Sequence, residues 1–318
     1  MTPPGVHADP TYLALSSPLS RPWHFTVLEL VVLGCFALTA RHVVAEWKKG
    51  ARHHAFQWLA ILVYGVVMEL IAFNYIQSYD HAIFTVQLYH RELPLDRPCV
   101  YIVLHYTGLE MAQRLGLRAL PEALLAGFAM CLLDIPFDLA GASLGWWVWR
   151  DTDPNLAFRW LGVPINSYYW YLLFGGVLSL LVRAVRGRFE KGSFAVYAAF
   201  APLIAVGVVA LGTLSFLPFH VLKALGVRDD VIVLAHLFGA TALALGARAP
   251  DAAPLPRGLF AIVVSLCVFD IVALAVAAPR DGTVAAKLAM SVAATAGSVF
   301  LARRLVVGGP GRASRGHS

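Results

Sequence analysis

The segment GLFAIVVSLCVFDIVALAVAA, residues 258–278, decides the class of fold. It is about 20 residues interrupted by one acid, Asp270, which is the length of helix that crosses the hydrocarbon core of a bilayer. Runs of the same character recur along the chain. Working outward from this one, nine spans are expected at roughly 24–46, 55–77, 98–116, 121–141, 167–185, 193–217, 230–248, 258–278 and 284–305. The expected fold is all-α, a polytopic transmembrane helix bundle of about nine spans.

Composition agrees. Of 318 residues, 59% are hydrophobic and 14% charged, where an average soluble domain is about 25% charged. A net charge of +6 would suit a nucleic-acid binder. Here Lys and Arg occupy short loops between apolar runs, where they set topology. The expected partners are therefore the lipid bilayer and a lipid-soluble small molecule, with no nucleic acid. Cys35, Cys99, Cys131 and Cys267 form no C-x-x-C, and three lie inside apolar runs, so no disulfide framework or zinc knuckle is expected. The first residues lack the basic region of a signal peptide, so the first run is expected to be a permanent span.

Orientation follows from the basic loops. One alternating set of loops carries about 15 Lys and Arg and the other about 8, which by the positive-inside rule puts the N-terminus outside and the C-terminus in the cytoplasm. Three regions are distinguished: residues 1–190, rich in polar and aromatic side chains and carrying the candidate site; residues 191–306, an apolar helical half; and a tail, 307–318, expected to be disordered.

The chemistry is densest in LLDIPFDLAGASLGWWVWRDTDPN, residues 132–155, and WLGVPINSYYWY, residues 160–171. Asp134 and Asp138 are four apart, so a helix puts both on one face. Acids within a span normally face a bundle interior or a watery cavity, and such a pair can hold one proton and act as a general acid. The alternative is a polar pair that ties helices together. Trp146, Trp147 and Trp149 follow at the outer boundary, where tryptophan is common for interfacial reasons alone. Their other use is to steady a cation by their ring faces.

A second cluster holds Glu69 and Asn74 within the second span. Asp80, His81, His90 and Glu92 lie in or beside the outer loop. Asp80 with two histidines offers metal ligands, but the spacing matches no metal motif, and neither a metal nor a cofactor enters the expected site. His53 and His54 flank a basic loop and are expected to contact headgroups. At about 1.5 Å per residue, Glu69, His105 and Asp134 come out at similar heights in the outer half of the bilayer, with Glu110 about a turn and a half deeper. Asp270 and Lys287 are expected to pair across the last two spans.

Residues 134–166 resemble the integral-membrane carotenoid biosynthesis family that includes the carotenoid hydratases. The family's two aspartates four apart fall on Asp134 and Asp138, its G-x-W-x-W on Gly145, Trp147 and Trp149, and its G-[VI]-P with a following Asn on Gly162, Val163, Pro164 and Asn166. The proline that follows the second aspartate in that family is Leu139 here. The segment is also similar to multi-pass proteins that carry D-T-D-P-N and S-Y-Y and have no assigned function.

The resemblance implies an enzyme of hydro-lyase type acting without a redox cofactor on an isoprenoid or carotenoid. The expected catalytic residues are Asp134, Asp138, Glu69 and His105, with substrate bound by Trp147, Trp149, Asn74, Asn166 and Tyr168. A hydratase and a cyclase share all but the last step. The alternatives are a membrane transporter, or a structural or sensory membrane protein.

Overall fold

The computed structural model describes residues 10–190, 192–246, 253–278 and 281–306; the tail 307–318 lies outside the described residues. Helices α1 (Trp23–Lys48) and α2 (His53–Ile71) come first, and α2 runs into a π-helical turn at Ala72–Ile76. Next is a composite helix: α3 (Asp96–Tyr101), a π-helical turn (Ile102–Tyr106) and α4 (Thr107–Gln113). Then come α5 (Ala119–Leu144), α6 (Ile165–Val185), α7 (Phe194–Leu214), α8 (Leu217–Ala224), α9 (Asp229–Gly246), α10 (Arg257–Ala277) and α11 (Val284–Val306).

The all-α expectation holds, and the chain is a multi-pass membrane protein. Among the described residues, however, seven helices rather than nine are long and apolar enough to cross a bilayer. The two that fall short have physical reasons. The 96–113 helix carries Asp96, Arg97 and Glu110, and it is buried inside the bundle. Helix α9 is described over Asp229–Gly246 and opens on Asp229 and Asp230, two acids in its first turn that lower its apolar character.

Helix α5 is the central element. It packs against α6, α4, α11, α10 and α9, while α2 pairs with α7 and α1 with α10. Gly145 ends α5 in the left-handed conformation (φ 70°), which glycine adopts without steric cost. The chain then turns back over the helix, and the Trp147 ring lies against Gly141, where any Cβ would collide with it.

Short strands close one end of the bundle, which hydropathy alone did not foretell. Strands β1 (Leu13–Leu15), β3 (Val86–Leu88) and β4 (Leu93–Pro94) form one antiparallel sheet. Strands β2 (Tyr79–His81) and β5 (Trp147–Trp149) form an antiparallel ribbon, with Tyr79 opposite Trp149 and His81 opposite Trp147. Strands β6 (Arg159–Trp160) and β7 (Val163–Pro164) make a third pair before α6.

The expected Asp270–Lys287 pair does not form. Lys287 bonds instead to Asp281, in the loop before its own helix, and to Ser143 Oγ at 2.8 Å. The reason is snorkelling: the long side chain reaches the nearer, wetter carboxylate. Asp270 is fully buried, without a hydrogen bond among the described residues. Hydrogen bonds from Lys287 and then Thr283 hold the Asp281 carboxyl down at about 2. A depressed carboxyl stabilises the fold above its unfolded value of about 3.9, and that contribution disappears as pH falls through about 2. The melting-temperature difference between wild type and Asp281→Asn should therefore be constant from pH 7 to 5 and shrink from about pH 4 to about pH 2. A difference that stays constant down to pH 2 counts against this pair.

Candidate functional site

A cavity of about 270 Å³ lies beneath the β2–β5 ribbon. Its roof follows from strand periodicity. Successive side chains alternate faces, so Tyr79, His81, Trp147 and Trp149 point inward and line the cavity, while Asp80 and Val148 point out. Asp80 there pairs with Arg150 on the outer surface. Trp146 is also buried, its indole N–H donating to His24 Nδ1 at 3.0 Å. All three tryptophans are thus interior groups rather than an interfacial belt.

The walls follow helical periodicity. On α6, Ser167, Trp170, Tyr171 and Phe174 face the cavity, a spacing of three and four residues that keeps one face in register. The π-broken helix contributes Arg97, Val100, Tyr101 and His105, and α2 contributes Tyr64, Met68 and Glu69. A further wall comes from Val209, Thr213, Phe216 and His220 of α7 and α8, in the half that read as merely apolar.

Three of the four expected catalytic residues, Glu69, His105 and Asp138, line this one cavity. Glu69 accepts from Tyr79 Oη at 3.1 Å and lies 3.0 Å from His81 Nε2. The His81 Nδ1 is buried without a hydrogen bond among the described residues. His105 Nδ1 lies 3.0 Å from the Tyr101 carbonyl, to which it donates, so its Nε2 is left as an acceptor. Its ring sits 5.5 Å from each of the rings of Tyr64, Tyr101 and Tyr171. Asp138 accepts from Ser167 Oγ at 2.7 Å. Asp134, the fourth residue, sits behind the wall, fully buried, with Asp138 and Tyr171 as its polar neighbours.

The expected binding residues divide. Trp147 and Trp149 line the cavity. Tyr168 does not: it is buried on another face of α6, close enough to Asp134 and Asp138 to feel their charge. Asn166 is also off the lining face, and its side-chain amide donates to the Asn155 carbonyl at 2.6 Å. That bond fixes the Asp153–Asn155 loop, whose Asp153 and Asn155 do reach the cavity. Asn74 bonds the Leu70 carbonyl and accepts from Tyr89 Oη at 3.0 Å, tying the π turn to the outer loop. Neighbouring positions on a helix are about 100° apart, so a place near the end of a span does not by itself put a side chain on the cavity wall.

The group weighed for a metal, Asp80, His81 and His90, does not converge. Asp80 points outward, His81 inward, and the His90 ring packs against Tyr12 and Tyr89. The His53 and His54 expectation also fails: both are buried. His53 Nδ1 lies 3.0 Å from Glu190, and His54 Nδ1 lies 2.7 Å from Glu110 Oε1. The ligand atoms of His42, His54 and Glu110 gather within 4.8 Å of one another. Arg114 already occupies that position, 3.1 Å from Glu110 Oε2 and 3.2 Å from His42 Nε2, and Tyr106 Oη bridges at 2.8 Å to His42. The cluster is a closed hydrogen-bond network joining α1, α2 and the 96–113 helix.

Sequence reading missed Tyr79, His81, Tyr101, Arg97 and Ser167 as site residues. The available signal was the paired alternation in YDH and WVW, short enough to be hidden inside loops between spans.

No curated protein and no solved structure matches this chain. A family model described as Domain of unknown function (DUF7802) matches residues 20–247, which contain every residue that lines the cavity, whereas α10 and α11 lie beyond it. On that match over most of its length, the chain belongs to the DUF7802 family.

Proposed function

We propose that this chain is an integral membrane enzyme acting on a lipid-soluble isoprenoid by acid–base chemistry, of hydratase or cyclase type. One observation carries the reading: a single aromatic-walled cavity holds the Glu69–His81 pair, His105 and Asp138 together. Apolar and aromatic walls suit a hydrocarbon chain, and few convergent polar groups suit a reacting centre.

In the proposed reaction, protonated Asp138 delivers its proton to a terminal C=C. The π electrons form the new C–H bond and leave a tertiary cation on the neighbouring carbon. The ring faces of Trp147, Phe137 and Tyr171 stabilise that cation, aided by the field of the carboxylates. In a hydratase, water oxygen bonds to the cation, and its surplus proton returns to a carboxylate through the Glu69–His81 pair. In a cyclase, a second C=C closes on the cation and a proton is lost to the same acceptors.

The test is lipid extraction and mass spectrometry of cells with and without the gene. A hydratase adds a species heavier by one water, and a cyclase adds an isomer of unchanged mass. An unchanged set of lipids whose distribution across the membrane shifts would replace this reading with transport.

The same proposal sets orientation, N-terminus outside and C-terminus cytoplasmic, on the Lys and Arg distribution. A reporter fused after Ser318 should be active only on the cytoplasmic side. Activity only outside would invert the bundle and put the cavity at the cytoplasmic face.

A further inference from the structure

Arg97 is a charged cavity residue that the proposed reaction does not use. It is 3% exposed and lines the cavity. Its guanidinium carbon lies 4.8 Å from the Phe84 ring, 5.5 Å from Phe137 and 5.4 Å from Trp147. These rings fix the plane of the group, yet none of its three nitrogens makes a hydrogen bond among the described residues. The single ion contact is from its terminal nitrogen to Asp96 Oδ2, 2.9 Å away. A guanidinium carries five N–H donors. Leaving charged donors buried and unpaired is strongly unfavourable, so the arrangement calls for an acceptor from the cavity side.

Charge decides which kind of acceptor. Asp96 is in ion-pair contact, so the positive charge already has a carboxylate beside it. A second anion would meet the Glu69 carboxylate in the same cavity. What remains unfilled is hydrogen-bonding capacity rather than charge.

We propose that the cavity takes a lipid whose end carries an uncharged oxygen, a carbonyl or hydroxyl, docked on the Arg97 guanidinium beneath Trp147. This rests on the cavity being the substrate site proposed above, and it narrows the substrate from a plain hydrocarbon to an oxygenated isoprenoid. Docking at Arg97 fixes one end of the chain, so that a C=C further along is presented to Asp138.

The experiment uses the full chain in lipid nanodiscs and probes of one chain length: farnesol, farnesal, farnesoic acid and β-farnesene. Binding is read by quenching of tryptophan fluorescence, since Trp147, Trp149 and Trp170 line the cavity. Farnesol or farnesal should bind about 10–100-fold more tightly than farnesene, the range of a hydrogen bond to a charged group. The preference should vanish in Arg97→Met and survive in Asp138→Asn.

Equal affinity of the alcohol, aldehyde and hydrocarbon for wild type overturns the proposal, whether or not Arg97→Met folds. So does a preference that persists in Arg97→Met, or farnesoic acid binding most tightly. Failure of all four to bind overturns the cavity as a lipid site altogether. Product analysis of cells judges the reaction separately, so a hydrocarbon substrate that is hydrated would sink the Arg97 docking and leave the enzyme reading standing.

Discussion

Asp138→Asn should lower turnover by about 10²–10⁴-fold, the usual cost of removing a general acid, while the protein still inserts and folds. The geometry supports both halves of that statement. Of the two acids on α5, Asp138 is the one that lines the cavity. Its bond with Ser167 Oγ, at 2.7 Å, can be kept by the amide oxygen of asparagine, so the change removes a transferable proton and little else. Asp134→Asn tests the same site differently. Asp134 is fully buried behind the wall, so it acts on the reacting centre through Asp138 and Tyr171. Its loss should move the pH profile of the rate and reduce turnover less than the loss of Asp138. Product formation is measured per folded protein, with thermal stability as the control. Wild-type turnover in Asp138→Asn would remove this residue as the acid. A fall in folded yield with unchanged specific activity would make the pair a helix tie.

The second large effect lies at the other end of the bundle. Glu110→Gln should destabilise the protein by about 3–5 kcal/mol, the cost of breaking a buried ion pair by removing one partner. Glu110 is 1% exposed and accepts from His54 at 2.7 Å and from Arg114 at 3.1 Å. Tyr106 and His42 complete the ring, with Arg114 reaching His42 Nε2 at 3.2 Å. An amide offers one acceptor oxygen where the carboxylate offered two, and it leaves the Arg114 charge uncompensated. Denaturation in detergent should show a large drop in melting temperature, with the outer cavity of the surviving folded protein still binding its probes. A melting temperature within a degree or two of wild type would mean that the network contributes little.

The cavity and this network share one helix. Residues 96–113 place Arg97 and His105 in the cavity and Tyr106 and Glu110 in the network. That explains why a helix with three charged residues is enclosed by the others. Each of its polar groups needs a protein partner, and a lipid-facing position would supply none.

Much of this was legible in the chain. Apolar runs of about 20 residues identify a membrane bundle, because the bilayer imposes a length on any helix that crosses it. Glu69, His105 and Asp138, which line one cavity, were legible as neighbours: helical rise put Glu69, His105 and Asp134 at one level, and a separation of four put Asp138 on the face of Asp134. Asn74, Asn166 and Tyr168 do not line the cavity, because their side chains leave their helices in other directions. The cost of an unpaired charge pointed Lys287 to Asp270, where the nearer Asp281 wins.

What the sequence determined by itself is therefore class and level: an all-α membrane protein with acids and imidazoles at a common level toward one end of its spans. The physical reason is that hydropathy and rise per residue are properties of one segment at a time. Azimuth, partners and enclosure belong to several segments at once, and only the tertiary structure decided them. It turned His81 inward onto Glu69, laid Trp147 against Gly141, brought α7 and α8 in as a wall, and buried Arg97 among three rings. Each of those contacts joins residues of different elements, so packing between elements, and not the pattern along any one of them, sets the shape of the site.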